Sequence, residues 1–369
     1  MDARRLDTAR DAARDADVDA LLITPGPDLI YLTGYDAIPL ERLTCLVVPR
    51  DGKPSLVAPG LEVPAAEASP IGAMGLPIHG WAETDDPYRL VASLVPGAER
   101  VALADSMAAA KVLRLRDAMP QATQVLAGPV LRELRMIKGP DEVEHLRWAG
   151  RAIDRVHEQV ADLLRPGRTE RAVGEDLAEA ILEAGHERVD FVIVASGPNG
   201  ASPHHELSDR RIELGDPVVV DIGGTMPSGY CSDSTRTYAV GHAPDDFVAY
   251  YRVLQQAQQA AVDAVQPGVS AESVDAAARD VLAEAGYGEF FIHRTGHGIG
   301  LETHEEPYIV TGNSELLRAG MAFSVEPGVY LPGLHGARIE DIVVVTDVGV
   351  DPLNRTTHDL VVVDHSFSA

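Results

Sequence analysis

The sequence predicts a two-domain α+β protein: a smaller α/β domain precedes a larger unit built by internal duplication around a pseudo-two-fold axis. Three observations lead there. Over roughly the first 125 residues helix-like and strand-like segments alternate. The pairs Gly128-Pro129 and Gly139-Pro140 then bracket a short helical stretch, which marks a boundary near residue 130. Beyond it the chain repeats itself. Pro166-Gly167 and Pro267-Gly268, the candidate N-caps Thr169 and Ser270, the interior residues Val173 and Val274, and the closing pairs Ala184-Gly185 and Ala285-Gly286 all stand 101 apart. At 369 residues the chain also exceeds the usual single domain.

The elements follow in order. Residues 4–16 read as a charged amphipathic helix, and residues 19–24, 42–48, 55–58 and 101–104 read as strands. No cluster of metal ligands and no nucleophile-and-base pair stands out in this part. After Pro140 the apolar positions Val143, Leu146, Ala149, Ile153, Val156, Val160 and Leu163 recur at helical spacing, and Arg165-Pro166-Gly167 should stop that helix.

Composition narrows the function. With 57 acidic against 31 basic residues, a formal charge of -26 disfavours nucleic acid or an anionic membrane as a partner. Two cysteines, Cys45 and Cys231, suit a reducing compartment and are too few for a sulfur-rich zinc site. The charged start (Asp2, Arg4, Arg5, Asp7) shows no signal peptide, and no apolar run approaches the ~20 residues of a membrane span. The expectation is a cytoplasmic protein.

The chemistry lies in the duplicated part. Asp221 follows the apolar run Pro217-Val-Val-Val220 and reads as the end of a buried strand entering a Gly-rich turn. Asp233 stands on the next strand-like run, so the two carboxylates can oppose one another in a hairpin. His297 sits in Gly296-His297-Gly298, where small neighbours leave room for a ligand to approach the imidazole. His293 and His304 flank it closely enough to suggest one pocket. Glu326 and Glu340 fall in apolar, strand-like runs where a bare charge needs a partner, and metal coordination serves both. Asp221 matches Glu326, and Asp233 matches Glu340, across the repeat. Four carboxylates and one imidazole suit two adjacent divalent ions of Mn, Co, Fe or Zn.

This ordered set resembles the pita-bread metallopeptidase family, which contains methionine aminopeptidases, Xaa-Pro aminopeptidases and Xaa-Pro dipeptidases (prolidases). The likeness covers residues 131–369, starting near Arg135-Met-Ile-Lys138. Residues 1–130, with Asp19-Ala-Leu-Leu-Ile23 and Tyr31-Leu-Thr-Gly34, are similar to the creatinase-type domain of the Xaa-Pro enzymes. The resemblance implies a pita-bread catalytic domain behind a creatinase-like one, a homodimer, and two ions per chain with manganese foremost. It implies that Asp221, Asp233, His297, Glu326 and Glu340 are the ligands, with Asp233 and Glu340 bridging. It also implies that Glu326 acts as acid/base and that His204, His293 and His304 line the substrate pocket. His205 is the alternative to His204. Arg338 would orient the bridging carboxylates.

The implied reaction is hydrolysis of the bond before proline in a small peptide. Dipeptidase comes first, an Xaa-Pro aminopeptidase acting on longer peptides second, and a metal-free creatinase-like hydrolase or a non-enzymatic binding protein after these. Two departures stand out. The Asp221–Asp233 interval is one residue longer than usual for the family, which the Met226-Pro227-Ser228 turn can absorb. Tyr308 occupies a position where several prolidases carry an Arg, so a cation for a dipeptide's free carboxylate is missing there and longer peptides should be favoured. Arg294, Arg318 and His335 are the other candidates for that carboxylate.

Overall fold

The computed structural model describes residues 4–363. Asp2, at the charged start, lies outside the described residues, as do the last six positions of the expected second domain. The chain forms two compact units, Met1–Arg135 and Met136–Ala369.

The first unit holds α1 (Arg4–Asp15), β1 (Ala20–Ile23), α2 (Pro27–Thr33), β2 (Cys45–Pro49) and β3 (Ser55–Pro59). It continues through α3 (Val63–Ala68), α4 (Pro70–Ala73), β4 (Ile78–Trp81), α5 (Pro87–Leu94), β5 (Arg100–Leu103), α6 (Ala109–Ala118), β6 (Thr123–Leu126) and α7 (Gly128–Met136), whose last residue opens the second unit. Its strands form one sheet in the order β4-β3-β2-β1-β5-β6. β1 and β2 are buried along their whole length, as apolar runs covered on both faces must be. The sequence expectation puts the domain division at residue 130, but α7 runs through that point. Both Gly-Pro pairs open helices, since proline is favoured in a first turn whose N–H has no partner to lose.

The second unit contains α8 (Pro140–Leu163), α9 (Glu170–Glu183), β7 (Arg188–Ser196), β8 (Pro217–Thr225), β9 (Cys231–Val240), α10 (Asp245–Ala264) and α11 (Ala271–Glu284). Then come the short strands β10 (Gly296–Gly298), β11 (Glu305–Ile309), β12 (Ala322–Val325), β13 (Gly328–Leu331), β14 (His335–Arg338), β15 (Asp341–Val345), β16 (Val350–Pro352) and β17 (Val361–Val363). The larger sheets run β17-β9-β8-β7 and β11-β10-β12-β15-β16.

The duplication is visible in the backbone. Helices α9 and α11 begin and end at positions 101 apart, and Gly167 and Gly268 before them take φ of 89° and 90°. Gly167 N–H donates to Ile212 and Gly268 N–H to Leu317, each pinning the turn to a later segment of its own half. The caps differ. Thr169 Oγ1 accepts from Ala172 N, whereas Ser270 makes no side-chain cap. Each half has its own core: Ile153, Val156, Val173, Leu177 and Val220 in one, Leu254, Val274, Leu282, Phe323 and Val343 in the other. Two sheets with separate cores leave their facing strands free to carry polar groups between them.

Candidate metal centre and active site

β8 and β9 form a long hairpin in which Asp221 pairs with Thr235 and Gly223 with Asp233. The two aspartates are therefore diagonal neighbours on one face rather than directly opposed, and Asp221 stands mid-strand instead of at a strand end. The turn closes through Met226, whose N–H donates to the Tyr230 carbonyl at 2.9 Å. His297 is the middle residue of β10. Its flanking glycines serve the backbone and not an incoming ligand: a Cβ on Gly296 would strike the carbonyl of Ser324, and one on Gly298 the carbonyl of Glu306. Glu326 follows β12 and Glu340 precedes β15, and their N–H groups donate to the carbonyls of Thr295 (2.7 Å) and Thr235 (3.1 Å).

All five expected ligands come together. Ligand atoms of Asp221, Asp233 and Glu340 lie within 4.8 Å of one another, as do those of His297, Glu326 and Glu340. A third group, Asp233, His297 and His304, meets the same limit, so His304 stands closer to the centre than a purely substrate-facing role requires. His297 Nε2 is 3.2 Å from Glu326 Oε1 and 3.7 Å from Asp233 Oδ2. Its Nδ1 lies 3.2 Å from the Gly298 carbonyl, which suits a proton on Nδ1 and leaves the Nε2 lone pair able to take a metal ion.

This donor set fits divalent cations. Asp221 Oδ1 is buried with no hydrogen-bond partner, in a protein where buried polar atoms are nearly always satisfied. Burial, together with the charges of Glu340, Asp221 and Glu326, holds Asp233 well above the ordinary carboxylate range. Burial and the neighbouring Glu326 and Asp221 do the same to Glu340. Glu326 goes the other way: burial pulls it up, but the hydrogen bond and charge of His297, with His293 and Arg338 beyond, bring it down to about 2. Carboxylates crowded this closely lack positive charge that the surrounding side chains do not supply.

Arg338 meets this cluster unevenly. Nη2 donates to Asp221 Oδ2 at 2.5 Å, while Glu340 is reached only through Thr235, whose hydroxyl donates to Glu340 Oε2 (2.8 Å) and accepts from Arg338 Nε (3.1 Å). Of the two carboxylates expected to bridge, neither touches the guanidinium directly. Tyr330 is a further member that local sequence pattern does not reveal. Its hydroxyl accepts from Arg338 Nη1 at 2.7 Å and lies 2.9 Å from His293 Nε2. The run Asp233-Ser-Thr235 does carry a signal for Thr235, because alternate residues of a strand share a face.

A cavity of about 550 Å³ opens on the cluster, lined by His204, His293, Arg294, His297 and His304 on its polar sides and by Phe191, Ile193 and Pro203 on its apolar one. His205 is occupied elsewhere. Its Nε2 lies 2.8 Å from Glu170 Oε2, and buried Glu170 also accepts from Ser196, Asn199 and Ser208. That knot ties down the loop that presents His204. Burial and nearby His297 lower His304 to about 4, so that ring is neutral at neutral pH, and burial lowers His293 as well. Among the described residues, no group of side chains able to share an ion lies in the first unit, and no helix is long and apolar enough to cross a membrane.

Residues 144–347 match metallopeptidase family M24, and residues 5–137 match the creatinase/prolidase N-terminal domain. The crystal structure of dipeptidase PepE from Mycobacterium ulcerans superposes with a TM-score of 0.94 at 55% identity, covering 98% of this chain and 97% of that one. A prolidase from Thermococcus sibiricus gives a TM-score of 0.92 at 36% identity, with coverage of 98% and 99%. The Xaa-Pro dipeptidase of Lactobacillus helveticus is 36% identical over 367 residues, 97% of this chain and 98% of that protein.

Proposed function

This chain belongs to metallopeptidase family M24 and is a peptidase, and from that premise we propose that it is a dinuclear Xaa-Pro dipeptidase. The observation that carries the reading is the buried cluster of four carboxylates and His297, with Asp221 Oδ1 unsatisfied, at the floor of a cavity sized for a short peptide. Divalent metals fit the cluster. Their number is taken as two, with manganese first and cobalt, zinc or iron as alternatives. Glu340 and Asp233 each fall in two of the ligand groups, which supports them as the shared carboxylates.

Bound divalent ions supply Lewis-acid activation of a water and of the scissile carbonyl. The chain does the rest. Glu326, facing the cavity, accepts the proton of the attacking water and returns it to the leaving nitrogen. Neutral His304, with His204 opposite, donates hydrogen bonds to the oxyanion as the carbonyl becomes tetrahedral. His293 and Tyr330 hold Arg338, and Arg338 in turn fixes Asp221 and, through Thr235, Glu340. The apolar wall of Phe191, Ile193 and Pro203 suits a proline ring. The same reading takes the protein as cytoplasmic and as a homodimer, and sedimentation of the purified protein checks the dimer.

The test is turnover of Xaa-Pro dipeptides, Xaa-Pro-Xaa tripeptides and Met-initiated peptides by stripped protein reloaded with each metal. The proposal expects Xaa-Pro dipeptides to be cleaved fastest. Preference for Met-initiated peptides, or no cleavage before proline, contradicts it.

A further inference from the structure

We propose that Asp275, paired with Arg279 one turn further along α11, is a positioning residue that fixes the His297 strand for ion binding. This rests on the reading of His297 as a metal ligand. The Asp275 side chain is fully buried, and donors from separate segments converge on it. Its Oδ1 accepts from the Thr295 N–H (3.1 Å) and the Thr295 hydroxyl (2.8 Å), and its Oδ2 from the Thr311 hydroxyl (2.8 Å). Arg279 closes the arrangement, with Nη2 donating to Oδ1 (2.9 Å) and Nε to Oδ2 (3.0 Å). The same guanidinium donates to the carbonyls of Phe291 (3.0 Å) and His293 (2.9 Å). Burial pulls the Asp275 carboxyl up, but Arg279, Thr311 and Thr295 bring it below the ordinary carboxylate range, so it holds these donors as an anion at neutral pH.

What these bonds hold is the strand pair that carries His297. Thr295 precedes β10 and Thr311 follows β11, so one carboxylate ties together the two chain ends beside the Gly296–Ile309 pair. The strand itself is weakly fixed. β10 is Gly296-His297-Gly298, it meets β12 only where Gly298 faces Phe323, and its pairing with β11 shifts register between His297 and Gly298. Short, glycine-rich backbone of this kind does not hold an imidazole in one place by ladder bonds alone. Thr295 also passes the constraint on, because its carbonyl accepts from the Glu326 N–H at 2.7 Å. The duplication supplies an internal comparison. The positions 101 residues before Asp275 and Arg279 are Gly174 and Ala178, which cannot form such a pair. In that half the ligand aspartates stand on β8 and β9, strands of 9 and 10 residues paired along their length. The Asp–Arg pair is thus present where the ligand-bearing strand is short and absent where it is long, which support of a helix alone does not explain.

The experiment measures the affinity of the stripped full-length protein for manganese and for cobalt by competition with a chelator. Asp275→Asn keeps the side-chain shape but removes the charge that Arg279 pairs with. It should weaken the same ion that His297→Ala weakens, by roughly 10- to 100-fold, and leave any second ion at parental affinity. At full cobalt occupancy its visible absorption should differ from the parent's, because that spectrum follows ligand geometry. A loss of fold support alone would instead lower the melting temperature of the stripped protein, weaken all ions alike and leave the spectrum unchanged. Combined with His297→Ala, the cost of Asp275→Asn should fall well short of the sum, since both act on one ligand. Parental affinity in a folded Asp275→Asn, equal weakening of two ions, an unchanged spectrum or full additivity each overturns the proposal. Should Asp275→Asn fold poorly, Thr295→Val decides. It removes one of the hydroxyls Asp275 accepts from and should weaken the same ion, with Thr295→Ser restoring it; parental affinity in Thr295→Val overturns the assignment. A parent that binds no ion would sink the metal-centre reading and this assignment with it, whereas tight binding by parent and variants alike sinks the role of Asp275 alone.

Discussion

Replacing Thr235 with valine isolates the link between Arg338 and the metal centre. The substitution keeps the shape of a fully buried side chain and removes its hydroxyl, which donates to Glu340 Oε2 at 2.8 Å and accepts from Arg338 Nε at 3.1 Å. Hydrogen bonds to charged groups contribute about 1.5–3 kcal/mol each. Glu340 then loses the donor that fixes one oxygen, and that loss falls on ion binding because the carboxylate must be re-oriented before it can ligate. The expected cost in metal affinity is roughly 10- to 100-fold, the range typical of residues that orient a ligand. Competition of the stripped protein against a chelator measures it, with far-UV circular dichroism as the control for folding. Thr235→Ser restores the hydroxyl and should stay within about threefold of the parent. If Thr235→Val bound ions as tightly as the parent, or if serine and valine were equally weak, the hydroxyl would have no part in shaping the centre.

Other perturbations separate the remaining roles. Glu326→Gln keeps the side-chain shape but cannot take a proton, so kcat should fall by roughly 10²- to 10⁴-fold, or further if an ion is lost; near-parental turnover would make Glu326 merely structural. His297→Ala should weaken ion binding, whereas His204→Ala should leave metal content intact and lower kcat/KM. His304→Ala is expected to behave like His204→Ala, and metal loss equal to that of His297→Ala would move it into the coordination shell. His157, buried against Tyr238 and the Ser234 carbonyl, has its pKa lowered to about 3, first by burial and then by Arg236. The folded protein keeps it neutral while the unfolded chain protonates near pH 6.5. Its stabilising contribution is thus complete above about pH 6.5 and shrinks as pH falls toward about 3, by up to about 1.4 kcal/mol per pH unit. Denaturation curves of the parent and His157→Gln between about pH 7 and about pH 4.5 should diverge; parallel curves would contradict the assignment.

The long helix α8, the strands of the first unit and the duplicated turns are legible in the sequence because each rests on local pattern: apolar spacing, Gly-Pro breaks and caps. The five clustered side chains are legible for a related reason, since each stands in a short run that carries its own turn or strand signal. Register is not. The diagonal placement of Asp221 and Asp233 depends on where the hairpin turn closes, and one residue of shift moves every side chain to the other face. Nor does the sequence reveal contacts made across strands. Thr235 reaches Glu340, Tyr330 reaches Arg338, and Arg294 rests on Tyr308 only because distant segments are laid side by side. The glycines beside His297 point local reading toward a ligand, whereas they admit the backbone of β11 and β12, and such an approach has no local signature.

The most direct test of the central claim is a titration of manganese into stripped protein, with bound metal measured by elemental analysis and hydrolysis of an Xaa-Pro dipeptide followed in the same samples. The account predicts two ions per chain at saturation, activity that rises with occupancy, and Asp233→Ala that loses metal from both positions. Full hydrolysis by metal-free protein, or saturation at a single ion unaffected by Asp233→Ala, would contradict it.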